Sequence, residues 1–156
     1  MRDTVNTSWR RLSDQTQKNE GGQPALSDAA VRILIVDDDI KSSNSLELML
    51  HASGHSETRV AYSGHAALAI AAEFHPTVVL VELGLLDMSG YEVARLLRER
   101  AQRHDLRLIA LTSSREHAGR ELARVAGFER YLLKPVAARD LLGLLQIEAG
   151  RDHLSG

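Results

Sequence analysis

The sequence contains no cysteine and no long hydrophobic run. Without cysteine there is no disulfide framework, no thiol nucleophile and no cysteine-based zinc site, which agrees with a reducing compartment. No uninterrupted apolar run approaches the roughly 18 residues that a membrane-spanning helix needs. The amino-terminal residues also lack the apolar region of a secretory signal. These absences predict a cytoplasmic protein that does not contact a membrane.

The chain also has little net charge, with a formal value of -2 at pH 7. Domains that bind nucleic acid through bulk electrostatics are usually strongly basic, so this balance argues against a nucleic-acid partner. Hydrophobic residues make up 44% of the 156 residues. That fraction is sufficient to bury the core of one domain of this length.

Composition divides the chain into three parts. Residues 1–29 are polar, carry charges of both signs and show no sustained helical or strand period, so we predict a flexible N-terminal tail. Residues 30–148 are predicted to form the folded domain. Residues 149–156 are polar and are predicted to form a C-terminal tail.

From residue 31 onward, short apolar segments alternate with helical stretches five times. The predicted strands are 31–36, 58–61, 77–81, 106–112 and 131–133, and the predicted helices begin near Ser42 or Ser43 and then span 66–74, 91–103, 116–125 and 138–147. Several strands are apolar on both faces, as in buried parallel sheets. The pattern therefore predicts an α/β fold, a three-layer doubly wound parallel sheet of five βα units. It does not determine the order of the strands.

Polar residues follow or end four of the predicted strands. They are Asp37, Asp38 and Asp39 after the first strand, Glu82 after the third, Thr112 at the end of the fourth and Lys134 after the fifth. Functional residues of doubly wound sheets gather outside the carboxyl ends of the strands, so we expect these groups to converge. Neighbouring carboxylates suit a hard cation such as Mg²⁺. A hydroxyl and an ammonium group suit phosphoryl oxygens.

Four segments carry a family resemblance: ILIVDDD at 33–39, PTVVLVELGLLDMSGYEVARLLR at 76–98, LIALTSS at 108–114 and AGFERYLLKPV at 126–136. Together they resemble the receiver domains of response regulators, particularly those attached to hybrid histidine kinases. The resemblance covers residues from about 31 to 145. It implies a flavodoxin-like receiver fold and a role in two-component phosphorelay signal transduction. A receiver is a signalling module and not an enzyme, and its expected partner is a histidine kinase or another signalling protein.

The resemblance also implies a magnesium site. Asp37 and Asp38 look like the acidic pair that holds Mg²⁺, with Glu82 and the backbone carbonyl of Gly84 completing the ligands. Asp39 is similar to a third acid often found there, and it is not expected to bind the metal directly.

The switch residues are likewise implied by the resemblance. Thr112 looks like the hydroxyl that closes on the phosphoryl group, and Tyr131 occupies the rotameric switch position. Lys134 looks like the lysine of the site, and the peptide bond to Pro135 is characteristically cis in this family.

The chain departs from the family at the phosphoacceptor position, where Glu82 replaces the expected Asp; Leu86 also replaces a customary Pro in the loop that follows. The glutamate carboxylate lies about 1.5 Å further out, and a misplacement of about 1 Å can slow attack on the order of 100-fold. Efficient phosphorylation and strong Mg²⁺ binding are therefore not expected. The domain is either biased permanently toward an active-like surface or inert and used for docking, and the sequence does not choose between the two.

We therefore expect an atypical, phosphorylation-independent single-domain receiver that acts by protein–protein interaction. Its expected contact surface, which also offers a homodimer interface, combines the predicted helix 116–125, Tyr131 with Leu132, and the last helix.

Two alternatives remain at this stage. In one, a histidine kinase still phosphorylates the receiver at Glu82 or at a neighbouring acid such as Asp87. In the other, the chain is a small Mg²⁺-dependent phosphohydrolase with an Asp nucleophile, which Asp37 and Asp39 superficially suit together with Thr112 and Lys134. That enzyme class needs a further acidic pair late in the chain, which Asp140 alone does not supply.

Overall fold

The computed structural model describes residues 31–101, 106–113, 124 and 126–154, with side chains described as far as residue 146. Residues Val31–Glu148 form one compact unit. Its strands are β1 (Ile33–Val36), β2 (Thr58–Ala61), β3 (Val78–Glu82), β4 (Arg107–Thr112) and β5 (Arg130–Leu133). The helices in the described residues are α1 (Ile40–Ala52), α2 (Gly64–Phe74), α3 (Gly90–Ala101) and α4 (Ala138–Leu154).

All five strands pair in parallel in one sheet, in the order β2-β1-β3-β4-β5. The predicted fold class is confirmed: this is a doubly wound, flavodoxin-like sheet with flanking helices. The chain reverses its direction of winding between β1 and β3, which are direct neighbours. Val36 lies opposite Val81 in their register, so the residues that follow β1 emerge beside the end of β3.

The strands are buried on both faces because their side chains alternate between two hydrophobic layers. Leu34, Val36, Val79 and Val81 belong to the layer that includes residues of α2 and α3. The alternate strand residues belong to the layer that includes residues of α1 and α4: Ile33, Ile35, Val78, Leu80, Leu46, Leu50, Leu141 and Leu145. These two layers bury the sheet on both faces, and the residues that follow the strands lie at its carboxyl edge.

Several helix boundaries differ from those predicted. α1 begins at Ile40, before Ser42, because the Asp39 carboxylate accepts hydrogen bonds from the backbone N–H groups of Lys41 and Ser42 and so caps the helix earlier. α4 continues to Leu154, beyond the predicted end at 147. The predicted helix 116–125 lies outside the described residues, apart from Arg124. Every helix in the described part of the chain is too short or too polar to cross a membrane.

Candidate functional site

The sheet brings together three of the charged groups that the sequence places at strand ends. Asp37 follows β1, Glu82 is the last residue of β3, and Lys134 follows β5. The Lys134 ammonium nitrogen lies 2.5 Å from Asp37 Oδ2 and 2.8 Å from Glu82 Oε2. The predicted convergence therefore occurs, and it takes the form of two ion pairs that share one lysine. We call Asp37, Glu82 and Lys134 the charged triad.

The charged triad is sheltered from water. The side chain of Asp37 is 1% exposed, that of Glu82 is 11% exposed, and that of Lys134 is 18% exposed. Although Asp37 Oδ2 and Glu82 Oε2 lie at ion-pair distance from the ammonium, neither accepts an aligned hydrogen bond from the described residues. The lysine charge is therefore the main compensation for these two buried oxygens.

The same environment changes the proton affinity of Lys134. Burial by itself lowers the pKa of this ammonium group, but the close contacts and charge interactions with the carboxylates of Asp37 and Glu82 outweigh burial, and the pKa lies above its ordinary value. Lys134 thus stays protonated across the neutral range and acts as a fixed positive charge.

The other carboxylate oxygens of the charged triad accept backbone hydrogen bonds. Glu82 Oε1 accepts from the Gly84 N–H at 3.2 Å, and Asp37 Oδ1 accepts from the Asp39 N–H at 3.0 Å. Both oxygens of Glu82 therefore have a partner, one on the loop after β3 and one on the residue after β5. The carboxylate is therefore held through both of its oxygens.

Asp38 and Asp39 point to other partners. Asp38 Oδ2 accepts from the Leu86 N–H at 3.0 Å and so joins the end of β1 to the loop between β3 and α3. The Asp39 carboxylate accepts from the Lys41 and Ser42 N–H groups at the start of α1, and its expected exclusion from direct metal binding stays a prediction. This use of Asp39 also weakens the phosphohydrolase alternative, in which Asp37 and Asp39 would act on one substrate.

The arrangement does not fit a preformed metal centre. Carboxylate oxygens suit Mg²⁺ chemically. Within the described ranges, however, no three Asp, Glu, His or Cys side chains converge on a point where they could hold a metal ion. The predicted ligand set of Asp37, Asp38, Glu82 and Gly84 stays a prediction.

Thr112 and Tyr131 occupy the sheet beside the charged triad. Thr112 is buried at the end of β4, and its backbone carbonyl accepts from the Lys134 N–H at 2.8 Å. Tyr131 is half-buried in β5 and packs against the layer of α2 and α3. The Lys134–Pro135 peptide bond is cis, as the resemblance implies. The switch roles of Thr112 and Tyr131 stay predictions.

Asp87 forms its hydrogen bonds with the start of α2, away from the charged triad. Its Oδ1 accepts from the Gly64 N–H at 2.9 Å, and its Oδ2 accepts from the His65 N–H at 3.0 Å and contacts His65 Nδ1 at 2.6 Å. The hydrogen bonds from the Gly64 and His65 backbones hold the pKa of Asp87 well below its usual range. A carboxylate engaged in this way is a poor candidate for a substitute phosphoacceptor. Sequence reasoning considered Asp87 only in that role, and nothing in the local pattern signals its contact with a helix start 23 residues away.

Comparison with known proteins identifies relatives across most of the chain. The family described as "Response regulator receiver domain" matches residues 33–146. An uncharacterized 14.6 kDa protein in the sodA1 3' region of Leptolyngbya boryana is 33% identical over 118 residues, which cover 76% of this chain and 89% of that protein. The polar-differentiation response regulator DivK of Brucella abortus is 30% identical over 105 residues, or 67% of this chain and 85% of that protein.

Solved structures show the same likeness. The CheY-like response regulator receiver domain protein of Methanospirillum hungatei superposes with a TM-score of 0.73 at 27% identity. The superposition covers 82% of this chain and 100% of that one. The chemotaxis protein CheY4 of Vibrio cholerae superposes with a TM-score of 0.71 at 26% identity, over 76% of this chain and 98% of that one.

Proposed function

The chain belongs to the response regulator receiver domain family, and from that membership we propose that it is an atypical receiver that acts without being phosphorylated. Receiver domains of two-component systems are generally signalling modules that interact with histidine kinases and other signalling proteins. In this proposal the chain acts by protein–protein interaction. Its phosphoacceptor position holds Glu82 in place of Asp.

The observation that carries the proposal is the double attachment of Glu82. A carboxylate that attacks a phosphodonor needs an oxygen aimed at phosphorus in a near-attack geometry. Glu82 Oε2 instead lies against the Lys134 ammonium, and Oε1 accepts from the Gly84 N–H. The side chain is one methylene longer than Asp, so its oxygens also lie further from the end of the strand. Attack from this position requires loss of the ion pair and displacement of the carboxylate.

The same contacts favour one permanent state of the surface. In a receiver that is phosphorylated, the group that faces the lysine changes with the signal. Here the Glu82 carboxylate pairs with Lys134 from the outset and carries a single negative charge, whereas a phosphoryl group carries about −1.5 to −2. We propose that the domain offers a constant surface to its partner, with partial mimicry of the phosphorylated state.

The proposed partners are a histidine kinase or another signalling protein, and a second copy of the chain. The proposed contact surface includes Tyr131, the predicted helix 116–125 and α4. We propose no nucleic-acid or membrane partner, because the sequence has almost no net charge and no long apolar run. A cytoplasmic location belongs to the same proposal.

Magnesium is proposed to bind more weakly than in a receiver with Asp at this position. Asp37, Asp38, Glu82 and the Gly84 carbonyl are the residues that would hold it. When bound in such a site, Mg²⁺ supplies positive charge to the oxygens of a transferring phosphoryl group. The charged triad already contains a cation, because Lys134 neutralises part of the charge of Asp37 and Glu82.

The proposal is tested by intact mass after incubation with Mg²⁺ and a small acyl-phosphate donor. Wild type and Glu82→Asp are treated side by side, and Glu82→Asp/Asp87→Asn controls for uptake at the neighbouring acid. We expect one added phosphoryl group on both variants and none on wild type. Uptake by wild type at the same rate as Glu82→Asp would overturn the proposal. If Glu82→Asp were labelled and Glu82→Asp/Asp87→Asn were not, the acceptor would be Asp87, which would also contradict the expected result.

A further inference from the structure

The loop between β3 and α3 is attached to two different parts of the domain. On one side, the Leu86 N–H donates to Asp38 Oδ2 at 3.0 Å, which links the loop to the end of β1. On the other side, Asp87 accepts from the first two N–H groups of α2, those of Gly64 and His65. Leu86 and Asp87, which are adjacent in the loop, thus join it to the end of β1 and to the start of α2.

The start of α2 depends on this contact. Ser63 is the residue that precedes the helix, and its side chain accepts only from the Ala66 N–H among the described bonds, at 3.0 Å. The N–H groups of Gly64 and His65 would otherwise lack an acceptor, as is usual at a helix start. Asp87 completes the cap from a distant loop, and its negative charge lies at the positive end of the helix dipole.

Packing beside Asp87 makes the junction tight. A Cβ atom at Gly64 would overlap Cγ of Met88 and would lie 2.9 Å from Cγ2 of Val93, so the loop and α3 approach the backbone of α2 without a gap. The Asp87 carboxylate and the Met88 side chain therefore both contact the start of α2.

The same loop orients the carboxylate of the charged triad. Gly84 donates its N–H to Glu82 Oε1 at 3.2 Å, and Gly90 donates its N–H to the Leu83 carbonyl at 3.1 Å. Two hydrogen bonds from backbone N–H groups thus hold the segment between Glu82 and Gly90. The contacts of Leu86 and Asp87 join this segment to the end of β1 and to the start of α2.

We propose that Asp87 is a positioning residue for Glu82, which it holds in place by fixing the loop that carries the Gly84 N–H to the start of α2. Without this attachment the loop moves outward, the Gly84 N–H leaves Glu82 Oε1, and the carboxylate is free to turn away from Lys134. The proposal rests on the proposed function in so far as Glu82 is the residue whose orientation matters. It does not depend on whether phosphorylation occurs.

The test compares loss of the Asp87 contact with loss of the Ser63 cap, because both groups cap α2 but only Asp87 lies in the loop. Backbone ¹H–¹⁵N resonances are recorded for wild type, Asp87→Ala, Asp87→Asn and Ser63→Ala, together with the ¹⁵N resonance of the Lys134 ammonium. Ser63→Ala removes the other cap of α2 without touching the loop. A residue that only stabilised the helix would give the same result as Ser63, namely a lower Tm with the Gly84 and Lys134 resonances unmoved.

We expect Asp87→Ala to shift both the Gly84 amide and the Lys134 ammonium resonances, and Ser63→Ala to lower Tm while it leaves both in place. Asp87→Asn keeps one accepting oxygen, so its shifts should be smaller than those of Asp87→Ala. Unmoved resonances in Asp87→Ala, or equal shifts in Ser63→Ala, would overturn the proposal. If Asp87→Ala does not fold, Asp87→Asn is compared with Ser63→Ala in its place. The Gly84 and Lys134 resonances should then shift in Asp87→Asn and stay in place in Ser63→Ala. The resonances report geometry alone, so this outcome is independent of the phosphoryl-uptake experiment.

Discussion

The Lys134 ammonium lies 2.8 Å from Glu82 Oε2, although their strands are separated in the sheet by β4. The lysine backbone is fixed on that intervening strand, because its N–H donates to the carbonyl of Thr112 at 2.8 Å. The side chain then passes over the end of β4 to reach the acids after β1 and at the end of β3. One lysine thus links the carboxyl ends of four adjacent strands.

Removing the lysine should strongly destabilise the domain. In Lys134→Met the oxygens Asp37 Oδ2 and Glu82 Oε2 stay buried without their cation, and loss of one partner of a buried ion pair costs about 3 kcal/mol or more. Urea unfolding at pH 7 measures this loss.

The control is Lys41→Met, which replaces an exposed lysine on α1. Its effect should stay within about 0.5 kcal/mol, as for most surface substitutions. Adding Glu82→Gln to Lys134→Met should recover part of the stability, because one uncompensated charge is then removed. An equal loss in both lysine variants would contradict the buried-pair explanation.

Gly90 should not tolerate a side chain. A Cβ atom there would lie 2.5 Å from the backbone oxygen of Glu82 and 2.7 Å from Cα of Leu83, and a backbone cannot yield as a flexible side chain does. Gly90→Ala is expected to cost about 1–3 kcal/mol of unfolding free energy, as overpacking typically does. Chemical denaturation measures the change.

Gly143 in α4 provides the matched control for Gly90. A Cβ atom at Gly143 meets nothing within 4 Å. Gly143→Ala should therefore raise stability by up to about 1 kcal/mol, the difference in helix propensity between the two residues. If both variants changed the unfolding free energy in the same direction, the close approach of the backbone at Gly90 would not explain the result.

Asp87 should make stability depend on acid pH. Its pKa in the folded state lies below the ordinary value of about 3.9 because the Gly64 and His65 N–H groups stabilise the charged carboxylate. A lowered folded-state pKa means that the contribution is fully present above the unfolded pKa and is lost as pH falls through the folded pKa. The stability difference between wild type and Asp87→Asn should therefore be constant above pH 5 and shrink below about pH 4.

Denaturant midpoints of both proteins between pH 2 and pH 7 test this prediction. His65→Ala is the control, since it keeps the backbone N–H that donates to Asp87. It should leave most of the acid dependence intact. If the stability difference between wild type and Asp87→Asn grew on acidification, the prediction would be contradicted.

Magnesium should stabilise Glu82→Asp more than wild type. A ligand that binds only the folded state adds about 2.7 kcal/mol at a concentration 100 times its Kd, so weak binding gives a small shift in Tm. Thermal unfolding with and without millimolar Mg²⁺ measures the effect. Adding Asp38→Asn to Glu82→Asp should remove the gain. Equal shifts in wild type and Glu82→Asp would show that Glu82 does not weaken the site.

The sequence was sufficient to predict the fold and the convergence of the charged triad. Alternating apolar segments and helical stretches specify a parallel sheet with helices on both faces, and this was confirmed. In such a sheet every strand presents its carboxyl end at the same edge. Asp37, Glu82 and Lys134 could therefore be expected to meet from the sequence alone.

Tertiary structure alone decided the remaining features: the strand order, the sharing of Lys134 by two acids and the attachment of Asp87 to α2. Each depends on distances between segments that are far apart in the chain, and those distances are set by how helices pack on the sheet. Asp87 illustrates the difference, because its partners Gly64 and His65 precede it by 23 and 22 residues. Local pattern fixes which residues stand at a strand end or a helix start. Only the packed core fixes which of these termini lie within hydrogen-bonding distance of one another.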